Sequence, residues 1–117
     1  MKLSQIAHIL EAEFLACERL NSAEITKAGA SDLLSDVLAA NAENALLLTG
    51  IKTIQMVKTC TIAGIGAVIL VRGKVPDPDV IELAEEEGLP LLSTGLSMFI
   101  ASGRLYQQGI QGLKHAR

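Results

Sequence analysis

The chain has 117 residues, of which 50% are hydrophobic and 3% aromatic, and its formal net charge is −3 at pH 7. This length allows one hydrophobic core, and the high apolar content with a small net charge excludes an intrinsically disordered chain. The few aromatic rings and the acidic balance argue against nucleic acid as a partner, since the only basic cluster is the tail with Lys114, His115 and Arg117.

Short apolar segments alternate with segments of helical periodicity along the chain. In chain order they predict a helix over 3–10, strands over 14–17 and 25–31, a helix from Ser31 or Asp32 to about Ala40, a strand over 45–49, a helix over 53–64, a strand over 67–71, a helix over 77–88, a strand over 90–94 and a helix over 96–108. Apolar strands separated by helices indicate a parallel sheet covered on both sides. We therefore expect an α/β fold: a single compact domain over residues 1–117, with a mainly parallel sheet of about five short strands and helices on both faces.

Two features bear on where the protein acts. The N-terminal segment lacks the apolar core of a signal peptide, and the uncharged stretches 59–71 and 88–103 fall short of the about 20 residues that a spanning helix needs. Cys17 and Cys60 lie far apart with no CxxC spacing, which is typical of buried thiols in a reducing compartment. We expect a cytoplasmic protein with no membrane partner.

Polar residues and glycines follow each predicted strand at its carboxyl end, where ligands bind in open parallel sheets. The candidate ligand-binding residues are Ser31, Asp32, Ser35, Asp36, Thr49, Gly50, Arg72, Gly73, Ser93 and Thr94. Together they predict a rim for a small anionic or nucleotide-like ligand, with Arg72 as the cation. The same residue types are the usual caps and turn residues at strand-to-helix junctions, so a purely structural role stays open.

Catalytic and metal motifs are missing from the sequence. Asp32 and Asp36 lie four residues apart and could share a helix face as an acid–base pair or a cation site, but two carboxylates without a third ligand make a weak metal site. Neither His8 nor His115 neighbours a nucleophile motif, and no P-loop occurs. We expect no enzyme, no cofactor and no metal, with an Asp-dependent enzyme as the third alternative.

The final predicted helix carries apolar residues around much of its circumference, more than one core-facing stripe requires. Either it is deeply buried within the monomer, or part of it forms the interface of a homodimer. The candidate interface residues are Met98, Phe99, Leu105 and Tyr106. Both interpretations stay open at this point.

Several short motifs follow one another in a characteristic order over nearly the whole chain. They are Ala30 to Leu38, Ala45 to Gly50, Val71 to Lys74, Pro90 to Thr94, Met98-Phe99 and Gly103 to Tyr106. In this order the chain resembles a stand-alone DRTGG domain, a family similar to the N-terminal domain of HPr kinase/phosphorylase. The five letters of the family name are not contiguous here, and Thr49-Gly50 is the nearest fragment. The resemblance implies an α/β module that accompanies CBS, phosphotransacetylase or kinase domains in larger proteins and serves regulation or assembly.

Residues and resemblance together indicate a non-catalytic regulatory or protein-interaction domain that acts as a homodimer. Arg72 would pair with an anionic ligand, the strand-exit hydroxyls and Gly50 would donate hydrogen bonds, and Asp32 or Asp36 would contact a hydroxyl or a cation. The alternative is a purely structural partner subunit of a separately encoded enzyme or kinase, with no ligand of its own.

Overall fold

The structure is a computed structural model that describes residues 1–113, so the basic tail cluster Lys114, His115 and Arg117 lies outside the described residues. Its elements in chain order are α1 (Leu3–Ile9), β1 (Glu13–Ala16), a 3₁₀ helix (Glu18–Leu20), β2 (Lys27–Ala30), α2 (Leu34–Ala39), β3 (Leu46–Thr49), α3 (Ile54–Ala63), β4 (Ala67–Leu70), α4 (Pro78–Glu87), β5 (Leu91–Ser93), α5 (Met98–Gln107) and β6 (Gln111–Gly112). None of the helices in this part of the chain is long and apolar enough to cross a membrane.

The strands form one six-stranded sheet in the order β1-β5-β4-β3-β2-β6. Every neighbouring pair is parallel except β1 with β5, which is antiparallel and irregular between Phe14 and Ala16. The predicted α/β fold with a mainly parallel sheet is confirmed. The sixth strand, β6, was not predicted, because two exposed residues carry no apolar alternation.

Helices cover both faces of the sheet, as predicted. Successive residues of β3 point to opposite faces: Leu47 packs with the core under α2, α3 and α4, whereas Leu46 and Leu48 pack with the core under α1 and α5. All four residues of β3 and of β4 are buried. Burial on both faces explains why these strands are uninterrupted apolar runs in the sequence.

The signals that predicted α3 and α4 form as expected. The Thr53 side chain accepts a hydrogen bond from the Met56 amide at the start of α3, and Gly64 ends that helix in the left-handed conformation. Asp77 is the N-cap residue of α4, although its side chain makes no capping bond, and Gly88 ends that helix in the same way as Gly64.

Two local predictions are wrong. Neither Ser31 nor Asp32 caps α2; its N-cap residue is Leu33, which has no capping side chain, and the Ser31 hydroxyl instead accepts the Leu33 amide at 3.0 Å. Leu105, predicted at a subunit interface, is 2% exposed and belongs to the core under α1 and α5. Its side chain therefore stabilises the monomer, and Leu105 is not available as an interface residue.

Candidate ligand-binding site

Three neighbouring strands, β2, β3 and β4, end at the same edge of the sheet, and their exit loops meet around the carboxylate of Asp32. Oδ1 of Asp32 accepts the Gly50 amide at 2.6 Å and the Thr49 hydroxyl at 3.2 Å. Oδ2 accepts Nη2 of Arg72 at 3.2 Å in an ion pair. We call this group, Asp32, Thr49, Gly50, Arg72 and Gly73, the rim cluster.

The backbone at the end of β4 aims the Arg72 side chain across β3. Arg72 and Gly73 both adopt positive φ angles, 61° and 67°, which reverse the chain direction directly after the strand. The amide of Arg72 donates to the Leu96 carbonyl and that of Gly73 to the Thr94 carbonyl, both at 2.8 Å. These bonds anchor the left-handed turn to the loop after β5. A non-glycine residue held in this conformation is uncommon and marks Arg72 as a positioned side chain.

Gly50 provides the space for the guanidinium. A Cβ atom built on Gly50 would overlap Nη2 of Arg72 and would lie 3.4 Å from Oδ1 of Asp32. The Arg72 side chain therefore lies directly against the backbone of the β3 exit. It remains 43% exposed and the Asp32 side chain 49% exposed, so the ion pair faces solvent.

The environment of Asp32 keeps its carboxyl ionised. The Gly50 amide is the largest cause that lowers the pKa of Asp32 below its usual value, with further contributions from Arg72 and Thr49 that outweigh partial burial. A carboxylate with a lowered pKa is a weak base at neutral pH. Asp32 thus acts as an acceptor that positions its neighbours, which disfavours the acid–base alternative from the sequence.

The predicted hydroxyls of Ser93, the last residue of β5, and Thr94, the residue after it, have structural partners. The Ser93 hydroxyl donates to the Lys74 carbonyl at 2.9 Å, and the Thr94 hydroxyl donates to the Leu10 carbonyl at 2.6 Å. Thr94 is also buried. Both side chains hold loops together and do not join the rim cluster.

The polar residues of the α2 segment lie apart from Arg72. The Ser31 hydroxyl donates to Oδ2 of Asp36 at 3.3 Å, while Asp32 turns to the other side and binds Arg72. Asp32 and Asp36 therefore do not form the predicted pair, and Ser35 is exposed. Among residues 1–113 no three His, Cys, Asp or Glu side chains are grouped so that they could hold a metal ion.

The outer surface of α5 carries two exposed aromatic rings. Phe99 is 86% and Tyr106 is 77% exposed. They are seven residues apart and share one face of the helix, with Gly103 between them. Met98 is half-buried against the core, so the apolar surface left for a partner is centred on the two rings.

Sequence reasoning placed these residues on one rim but missed the contact between Asp32 and Arg72, which are 40 residues apart. No local pattern reports such a contact. The one available signal was the opposite charge of two residues at the exits of β2 and β4.

A comparison with protein-family profiles shows to which family the chain belongs. The profile of the family described as "DRTGG domain" matches residues 5–107. The chain belongs to the DRTGG domain family.

One similar solved structure is described as the CBS and DRTGG domains of the regulatory region of Clostridium perfringens pyrophosphatase, complexed with the activator diadenosine tetraphosphate. The TM-score is 0.71 at 20% sequence identity, a level that shows a shared fold. The alignment covers 94% of this chain and 47% of that one, so this chain spans about half of the pyrophosphatase fragment. No curated protein matches the chain significantly.

Proposed function

We propose that this DRTGG domain is a non-catalytic regulatory module that binds a small nucleotide-like or phosphorylated ligand at the rim cluster. The observation that carries the proposal is the Arg72 side chain, which is 43% exposed and whose guanidinium is held above Gly50 by Asp32. A cation fixed in advance binds an anion with less loss of conformational entropy than a mobile side chain does.

The remaining donors of Arg72 suit a phosphate. A guanidinium has five N–H groups in one plane, and Asp32 accepts through a single Nη2 contact, so several donors stay available. Lys52 and Lys74 lie on the loops after β3 and β4, and Nζ of Lys52 donates to the Val75 carbonyl at 3.3 Å. These charges add positive potential at the same edge of the sheet.

A regulatory role fits the chemistry of the site better than catalysis. The only carboxylate in the cluster is a weak base, and the hydroxyl that donates to it, on Thr49, is buried. The family description names no activity. Support also comes from the pyrophosphatase structure, whose matching half belongs to a regulatory region complexed with an activator.

The proposal also concerns the compartment and the partner of the module. We place it in the cytoplasm beside a separately encoded enzyme, similar in role to the N-terminal domain of HPr kinase/phosphorylase. The pyrophosphatase fragment carries CBS domains in the same chain, and this chain matches 47% of it. A partner chain would supply an activity that this domain reports on.

A second candidate is a purely structural partner subunit, and the exposed rings of Phe99 and Tyr106 favour it. Large exposed aromatic side chains are enriched where two proteins meet. The same surface serves the homodimer that we propose for the regulatory module. The two candidates differ in whether the rim cluster binds anything.

A thermal-shift screen against nucleotides and phosphorylated metabolites tests the first candidate. A ligand at 100 times its dissociation constant stabilises the fold by about 2.7 kcal/mol, which raises the melting temperature of a small domain by several degrees. Arg72→Ala should abolish the shift. Arg19→Ala is the matched control, because Arg19 is also a half-exposed arginine in an ion pair, with Glu85 at 2.6 Å. A shift that survives Arg72→Ala rejects the rim cluster, and no shift with any compound favours the structural subunit.

A further inference from the structure

The carboxylate of Asp32 is surrounded by three donors of different kinds. The backbone amide of Gly50, the hydroxyl of Thr49 and the guanidinium of Arg72 donate to its two oxygens at 2.6, 3.2 and 3.2 Å. A backbone N–H, a hydroxyl and an arginine are the groups with which proteins bind phosphate and carboxylate ligands. We call the position that these three donors surround the anion site. Its occupant in this structure is a side chain of the same molecule.

The donors belong to the framework of the sheet, whereas the carboxylate comes from a loop. Thr49 is the last residue of the buried strand β3, and the amide of Arg72 is bonded to the loop after β5. Asp32 lies between β2 and α2, and its side chain is 49% exposed. Rotation of one side chain can therefore move the carboxylate into solvent, while the sheet keeps the donors in place.

The backbone amides next to the anion site have other partners. Those of Arg72 and Gly73 donate to carbonyls in the loop after β5, and the Ile51 amide donates to the hydroxyl oxygen of Thr49 at 3.1 Å. An anion that binds beside Asp32 meets the outer N–H groups of Arg72 together with a second negative charge. Because like charges repel, a firmly bound anion requires the position that the carboxylate occupies.

We propose that the Asp32 carboxylate is an internal competitor for the anion site, and that the ligand displaces it and takes over its three donors. This inference rests on the function proposed above and adds how the site is regulated and which anions it accepts. An anion that displaces a carboxylate must offer more than a carboxylate does. A terminal phosphate does so, because it carries up to two negative charges and has three acceptor oxygens. A free carboxylate or a phosphodiester carries one charge.

Asp32 then has two opposing effects on ligand affinity. It helps to hold Arg72 above Gly50, but it also blocks the anion site. A ligand that binds only after the carboxylate has moved loses affinity in proportion to the fraction of open molecules. An exposed ion pair favours the closed state by a factor of up to about five. Without the carboxylate, the turn after β4 still directs Arg72 across β3, so the loss of the block should outweigh the loss of positioning.

NMR titration of the ¹⁵N-labelled full chain at constant ionic strength and about pH 8 tests the competition, with inorganic phosphate, dimethyl phosphate and acetate as probes. Asp32→Ala should bind both phosphate and acetate about fivefold more tightly than the wild type does. The wild type should bind phosphate about tenfold more tightly than dimethyl phosphate, which has a single charge.

Asp36→Ala is the matched control. It removes the same charge from the same segment of the chain, but the Asp36 carboxylate accepts the Ser31 hydroxyl instead of Arg72. Its effect on phosphate affinity should be less than about twofold, because salt screens a charge outside the anion site. A gain as large as in Asp32→Ala would reduce the effect to net charge and overturn the competition.

The remaining outcomes separate this inference from the proposed function. If phosphate binds the wild type through Arg72 and binds Asp32→Ala equally or more weakly, Asp32 only positions the arginine, so the competition is overturned and the rim proposal stands. If phosphate binds neither protein, both are overturned. Equal binding of phosphate and dimethyl phosphate overturns the choice of a terminal phosphate. Should Asp32→Ala fail to fold, Asp32→Asn replaces it, because the amide keeps the size and loses the charge, and phosphate affinity should change in the same direction.

Discussion

Arg72 donates to Asp32 across 3.2 Å although 40 residues separate them in the chain. The contact links the exit of β4 to the exit of β2 and passes over Gly50, at the exit of the strand between them. Because β2, β3 and β4 are adjacent and parallel, their carboxyl ends are brought to one edge. The residues of the rim cluster thus come together because β2, β3 and β4 lie side by side in the sheet.

Removing the charge of Asp32 should make the fold less sensitive to acid. The lowered pKa of Asp32, caused first by the Gly50 amide, means that its carboxylate stabilises the fold above the pKa in the unfolded chain, about 3.9. This stabilisation is lost as the pH falls from there through the lower folded-state pKa. Asp32→Asn should cost about 1 kcal/mol at pH 7, since hydrogen bonds to a charged group are partly screened at a half-exposed site. Urea unfolding from pH 7 to pH 3 measures the difference, which should shrink at the acid end. A constant difference would show that the charge plays no part.

Gly50→Ala should separate ligand affinity from stability. The added methyl group overlaps the end of the Arg72 side chain and displaces it from Asp32 toward solvent, so the free energy of unfolding should change by less than about 1 kcal/mol, the size of an exposed ion pair. Affinity for a phosphorylated ligand should nevertheless fall as far as in Arg72→Ala. Gly95→Ala is the control, because Gly95 follows β5 and has open space around its Cβ position. Binding titrations that show equal affinity for both alanine variants would contradict the role of Gly50.

The aromatic face of α5 should mediate self-association. Light scattering at micromolar concentration should give the dimer mass for the wild type and the monomer mass for Phe99→Asp, because a carboxylate in an apolar interface is desolvated without a partner. Ile62→Asp is the matched control: Ile62 is also largely exposed but lies on α3, which covers the other face of the sheet. A monomer mass for the wild type, or dissociation by Ile62→Asp alone, would reject this interface.

Both cysteines should be unreactive in the folded protein. Burial raises the pKa of Cys60 to about 12, and burial is also the first cause that raises the pKa of Cys17. The reactive thiolate is then about one part in ten thousand for Cys60 at pH 8. A disulfide reagent such as dithionitrobenzoate should label neither thiol until urea unfolds the chain, and then label both. Rapid labelling of one thiol under native conditions would show that its site opens.

The sequence predicted the elements whose signals are local. Apolar runs identify β3 and β4, and the pairs Thr53 with Gly64 and Asp77 with Gly88 mark the ends of α3 and α4. Strand direction and order are properties of the whole chain, so the antiparallel pairing of β1 and the two-residue β6 were not predictable.

The residues of the candidate site were likewise predictable from local signals, whereas their long-range contacts were not. Residue types at strand exits predicted the rim, and the structure brings Asp32, Thr49, Gly50 and Arg72 together there. The partners of buried hydroxyls were hidden, because the Thr94 hydroxyl binds a carbonyl 84 residues away. Ligand binding by the cluster stays a prediction.

The most direct test of the central claim locates a bound anion by NMR. Inorganic phosphate is titrated into ¹⁵N-labelled protein, with sodium chloride at matched ionic strength as the control. We expect saturable shifts that are largest at the amides of Gly50 and Gly73 and at the guanidinium of Arg72, and we expect these shifts to be lost in Arg72→Ala. Shifts that are absent, or that are largest on α5 and persist in Arg72→Ala, would contradict the central claim.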